Sequence, residues 1–333
     1  MRAPVLNPVL RRELLERWRG RRAAVVLTVY LGVLGGLLLL ARWLATSFLE
    51  QQAANGWTPI TASGPVLGRF LLENLLAGVL GLVLFIAPGY AAAQLAGERE
   101  RRTLGLLRIT LLRPWNIVLG KLGAASAWSV LLVLVTAPLA ATAFVLGGAT
   151  LGDLLKGLLV VVVVAVSVAA MAIGISARTR RTTGAVVLTY GLVLVLVIGT
   201  LIAAFAEFAA RDFSMPDAQR PVAMYANPFY ALADASGASS RGAFMGGGMP
   251  SVLTPFAAAL PNDLAFGGVD VMPAMDVAVG FAADGAPLVA DGPGVFERNP
   301  VWPITLVVYV LFGFLGLLLA TRSLGPRDGV RET

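Results

Sequence analysis

Few residues in this chain are of reactive types. Histidine and cysteine are both absent from its 333 residues. That removes disulfides, thiol chemistry, nearly all zinc and haem ligation, and the usual general base near neutral pH. Glu73, Lys156 and Glu207 fall within or beside apolar runs, but near their ends, where snorkelling to water accounts for them. Proton-coupled carriers and intramembrane hydrolases usually need an ionisable group deep in the bilayer, and none stands near mid-span here. Gly120-Lys121 invites comparison with a phosphate-binding loop. That motif needs glycine where Trp115 stands and Ser or Thr where Leu122 stands, so the chain carries no ATPase motif. Six of the eight methionines lie between 209 and 300, with pairs at Met245/Met249 and Met272/Met275. Thioethers at such spacing hold Cu(I), but without His or Cys to complete a site, flexible filler is the simpler role. No metal or cofactor is expected in this chain, and it reads as no enzyme by itself.

The most informative stretch is 97–121, GERERRTLGLLRITLLRPWNIVLGK. It carries five Arg and one Lys, with Leu104, Leu107, Ile109, Leu111, Leu112 and Ile117 between the charges. Held between two bilayer-length apolar runs, such a segment suits an element at the membrane surface that grips a partner.

The elements that would position it follow from composition. The chain is 57% hydrophobic and only 14% charged, with a mean hydropathy of +0.80. A soluble domain would be nearer a quarter charged, so this is a multi-span, all-α membrane protein. The net charge of +7 comes from basic residues flanking apolar runs, which argues for topology and against nucleic acid. Six spans are expected, at 23–44, 70–96, 122–146, 154–177, 185–208 and 301–321, each long enough for a hydrocarbon core of about 30 Å. Pro88-Gly89 should kink the second. Gly32 and Gly36 form a small-xxx-small pair in the first. No clean cleavage site follows that first span, so it reads as an anchor.

Residues 1–22 are too basic to enter the bilayer. Asn7-Pro8 caps a helix in which Leu6, Leu10, Leu14 and Trp18 form an apolar stripe. The segment is expected to lie on the membrane interface, a solvated basic tail being the alternative. The tail, the 97–121 island, the 178–181 link and the C-terminal tail 323–333 with Arg322 hold 19 of the 26 Lys and Arg. These segments and both termini are therefore expected in the cytoplasm. Residues 209–300 fall outside, with ten Pro, eleven Gly and nine acidic residues against four Arg. A long, irregular external loop is expected there, with a short helix over 222–233 broken at Asn227-Pro228.

Gly97-Glu98-Arg99, Thr103-Leu104, Leu107, Pro114, Ile117 and Gly120-Lys121 resemble the cytoplasmic signature of ABC transporter permeases of the type-2 exporter superfamily. There, G-E-R-x3-T-L-x2-L followed by P-x2-I-x2-G-K joins the second and third spans. Asn7-Pro8-Val9-Leu10 with Arg11-Arg12-Glu13 resembles the entry helix of the branch linked with multi-copper-enzyme maturation. The topology match spans the whole chain; the motif match is confined to these segments. The family pattern often has glycine where this chain has Arg102.

The resemblance implies a coupling helix docked in a groove of a separate ATPase subunit, which binds ATP and Mg and pushes the helix as its dimer closes. Leu104 and Leu107 would be the apolar anchors, with Thr103 between them and the charges. Glu98, Arg99, Arg101, Arg102 and Arg108 would orient docking through charge pairs. Pro114 would end the helix and Gly120 would turn the chain into the third span, with Lys121 after it. The partners implied are the ATPase subunit, a second permease copy or paralogue, and membrane lipid. The expected function is thus the permease subunit of an ATP-driven exporter in the cytoplasmic membrane. The alternative is a membrane scaffold or assembly factor acting through its external loop.

Overall fold

In hydrocarbon the backbone N–H and C=O groups have only each other as partners, and the chain forms helices along nearly all the residues the structure describes. A computed structural model describes residues 21–54, 64–102, 114–147, 149–210, 221–236, 251–253 and 300–324. The expected interfacial helix with Leu10, Leu14 and Trp18 lies outside the described residues. So do the central island with Thr103, Leu104, Leu107 and Arg108, most of 209–300 with its paired methionines, and the tail from 325.

The helices are α1 (Arg21–Ala54), α2 (Gly64–Glu100), α3 (Pro114–Val135), α4 (Ala137–Leu146), α5 (Leu151–Arg178), α6 (Thr182–Leu194), α7 (Thr200–Ala210), α8 (Pro228–Ala235) and α9 (Val301–Leu324). A π-helical turn, Val195–Gly199, joins α6 to α7, and a 3₁₀ turn, Val222–Ala226, precedes α8. Among the described residues, six stretches are long and apolar enough to cross a membrane: Ala23–Ser47, Leu67–Glu100, Pro114–Leu146, Leu151–Arg178, Thr182–Glu207 and Val301–Leu324. The third begins at Pro114, eight residues before the expected start at Leu122. Pro114 opens α3, where its missing N–H costs nothing, and Gly120 is buried inside the helix instead of turning the chain.

α2 and α5 form the centre of the bundle, while the α1 and α6–α7 spans lie mostly exposed at its edge. In α5 the run Val160–Val164 is β-branched, yet intramembrane backbone pairing overrides that preference for strand. Thr150 caps its start by accepting from the Asp153 N–H at 3.1 Å. α9 packs more extensively on α5 than on any other element. A Cβ on Gly316 would lie 2.5 Å from Met171 Cα, and one on Gly174 2.6 Å from the Gly316 carbonyl oxygen. Small residues let these two backbones touch, as dispersion packing in lipid requires. Gly32 and Gly36, by contrast, meet nothing within 4 Å.

Pro88 lies inside α2 as expected. The Tyr190 hydroxyl of α6 donates to the Phe85 carbonyl and accepts from the Gly89 N–H, so a side chain from another span enters the helical ladder beside the proline.

Candidate functional site

The last turn of α2 is a short polar sequence, Gly97-Glu98-Arg99-Glu100, and three of its residues reach three other spans. Glu98 Oε1 accepts from Lys121 Nζ of α3 at 2.7 Å, with the lysine side chain only 2% exposed. Arg99 donates through Nη1 to the Thr179 carbonyl at 2.6 Å and through Nη2 to the Ala177 carbonyl at 2.7 Å. Those carbonyls close α5, where a cation both fills hydrogen bonds and meets the negative end of the helix dipole. Glu100 Oε2 accepts from the Thr182 hydroxyl at 2.5 Å and from the Thr182 N–H, at the start of α6. Arg181, the residue in the cap position of α6, supplies no side-chain cap, so the capping carboxylate comes from a different helix.

Ser176 tightens the same joint, its buried Oγ accepting from the Leu95 and Ala96 N–H groups of α2 at 3.1 and 2.9 Å. Gln94, one turn before Glu98, is buried with neither amide atom hydrogen-bonded among the described residues, so the polar seam runs inward from the joint. Beneath it Ala96, Val118, Ile173, Ala177, Ala185 and Leu324 pack together. The end of α2 is thereby tied to α3, α5 and α6.

Of the residues expected to orient a partner, Glu98 and Arg99 therefore turn inward onto the chain itself. Arg101 and Arg102 are exposed. The Arg102 N–H bonds the Arg99 carbonyl at 3.1 Å, and Arg102 has φ 58°, the left-handed geometry that terminates helices. This is the position at which the resembled family often has glycine. Pro114 opens the return helix α3, and Lys121, two turns further on, is the residue that pairs with Glu98. Sequence reading missed Glu100, Ser176, Thr179 and Thr182, because single polar residues some 80 positions apart carry no signal of their pairing.

The opposite end of the bundle holds a second polar cluster. Arg69 lies 3.1 Å from Glu73 and 3.6 Å from Asp153 of α5, and donates to the Ser236 carbonyl at 2.6 Å. Glu73, expected to snorkel, is instead buried and accepts from Ser251 Oγ at 2.7 Å. Lys156 is exposed, as snorkelling requires, whereas Glu207 accepts from the Val222 N–H at 2.9 Å. The helix expected over 222–233 is present and is broken at Asn227-Pro228, with Tyr230, Ala231, Leu232 and Ala233 fully buried. Asn227 Nδ2 donates to the Val197 carbonyl in the π-helical turn and to Thr200 Oγ1, both at 2.9 Å. Asp234 accepts from the Val301 and Trp302 N–H groups and so caps α9.

No protein-family model matches this chain, and no curated protein does.

Proposed function

We propose that this multi-span, all-helical membrane protein is the permease subunit of an ATP-driven exporter of the ABC type-2 class, working with a separate ATPase subunit and a second permease copy or paralogue. The observation that carries the reading is the joint at the end of α2. Glu98, Arg99 and Glu100 bond α3, α5 and α6, and residues 103–113 link α2 to α3 in the sequence directly after these contacts. A push on that segment would therefore be shared among four spans at once, as a coupling element needs. Glu98 and Arg99 act as transmitters in this reading, while Leu104 and Leu107 anchor the ATPase and the exposed Arg101 and Arg102, with Arg108, orient it. ATP and Mg sit in the partner.

The test is a detergent pull-down with mass spectrometry, comparing wild type with the Leu104→Asp/Leu107→Asp double variant. An ATPase subunit that co-purifies with wild type and is lost from an inserted, monodisperse variant supports the proposal. If no ATPase accompanies wild type in several detergents, and deletion of 237–250 alone abolishes function, the protein is a scaffold acting through its loop.

A further inference from the structure

α1 touches α2 closely where Leu34 and Leu37 flank Gly78; a Cβ there would lie 3.1 Å from Leu34 Cδ2 and 3.5 Å from Leu37 Cδ1. Towards the Arg69 end the two helices leave a groove of about 630 Å³ between them. Its walls are apolar, with Leu40 and Leu44 on the exposed lip and Phe70 and Ala77 on the buried wall. Its polar side chains are Ser251, whose hydroxyl donates to Glu73 of the Arg69–Glu73–Asp153 cluster, and Asn74, which donates to the Phe70 carbonyl and accepts from the Val252 N–H. The groove is thus amphiphilic along its length, apolar between the spans and polar where it meets the cluster.

We infer that this groove holds one acyl chain of a bilayer phospholipid, with the lipid's polar linkage against Asn74 and Ser251. Water is a poor occupant, because it needs two to four polar partners and the wall between the spans offers none. The volume falls within the usual range for small-ligand sites, roughly 300–1,000 Å³. The neighbouring medium in a membrane protein is hydrocarbon, and Leu40 and Leu44, each 50% exposed, leave the lip open to it. A lipid seated there would brace α1, which otherwise contacts little beyond α2.

This inference needs only the full-length chain in a membrane and is independent of any ATPase. The chain would be reconstituted in nanodiscs containing a phosphatidylcholine with a diazirine-bearing acyl chain, irradiated and mapped by peptide mass spectrometry. Adducts should concentrate on residues 37–45 and 70–78, above the level on the exposed α7 residues Ile202 and Phe205. They should be lost in Ala41→Phe/Ala77→Phe, which fills the groove. Because filling a buried wall can disturb folding, Leu40→Ser on the exposed lip is the second variant, and it should weaken the same adducts with the α7 level unchanged. Labelling of the groove no stronger than that of α7 overturns the inference. Native mass spectrometry of the detergent-exchanged chain separates a resident lipid from transported cargo. One phospholipid retained per chain supports the inference; a lipid that washes out completely overturns it.

Discussion

At the scale of the residue, the Glu98–Lys121 pair shows why a signature can be structural. A lysine buried to this degree is tolerated only with its counter-charge in place, and removing one partner of such a pair costs about 3–5 kcal/mol. Glu98→Ala should therefore lower the melting temperature in detergent sharply. The double variant Glu98→Gln/Lys121→Met removes both charges and should recover much of the loss, because no unpaired charge is left inside. If the double variant melts no higher than Glu98→Ala, the pair is not what holds that joint. Arg102 gives a prediction of opposite sign. A non-glycine residue in the left-handed region carries strain of roughly 1–2 kcal/mol, so Arg102→Gly should raise stability by up to about 1 kcal/mol after the entropy cost of glycine. A fall in stability would mean that the arginine side chain contributes more than its backbone costs.

At the scale of the element, the informative contrast is between two sets of glycines. Gly32 and Gly36 were legible as a small-xxx-small pair, and the described residues put nothing against them. Gly174, Gly313 and Gly316 form the real close contact, where α5 and α9 bring backbone against backbone. Gly316→Leu should cost about 1–3 kcal/mol or more by overpacking, since the atoms it meets belong to the Met171 backbone and cannot rotate away. Gly32→Leu should leave the melting temperature unchanged. Thermal melts of the two variants in the same detergent check both outcomes. Spacing alone does not separate the two sets, because it reports which residues share a face but not what that face meets.

At the scale of the whole molecule, the bundle has two chemically different ends. Arg99, Arg101, Arg102, Lys121, Arg178, Arg180, Arg181 and Arg322 outnumber Glu98 and Glu100 at one, and Glu73, Asp153, Glu207 and Asp234 outnumber Arg69 and Lys156 at the other. The positive-inside bias predicts that the basic end faces the cytoplasm. Because the chain contains no cysteine, single introduced cysteines report this directly. Arg101→Cys should react with an impermeant maleimide only in inside-out vesicles, and Glu50→Cys only in intact cells. The reverse pattern would place the 97–121 island outside and remove any access for a cytoplasmic ATPase.

The sequence by itself determined the class of this protein, the six apolar helices of membrane-crossing length among the described residues, the place of Pro88 within the second of them and the break at Asn227-Pro228. Each of these is written locally, in runs of apolar residues, prolines and caps whose effect is felt within a turn or two. What only tertiary structure decided is where the isolated polar residues go. That Arg99 closes α5, that Glu100 caps α6, that Asn227 fills the π-helical turn and that Glu73 is buried with Arg69 and Ser251 all join positions far apart in the chain. A polar group withdrawn from water must find a partner or pay its full desolvation cost, and which partner is within reach is set by the packing of whole helices, not by any neighbour in sequence.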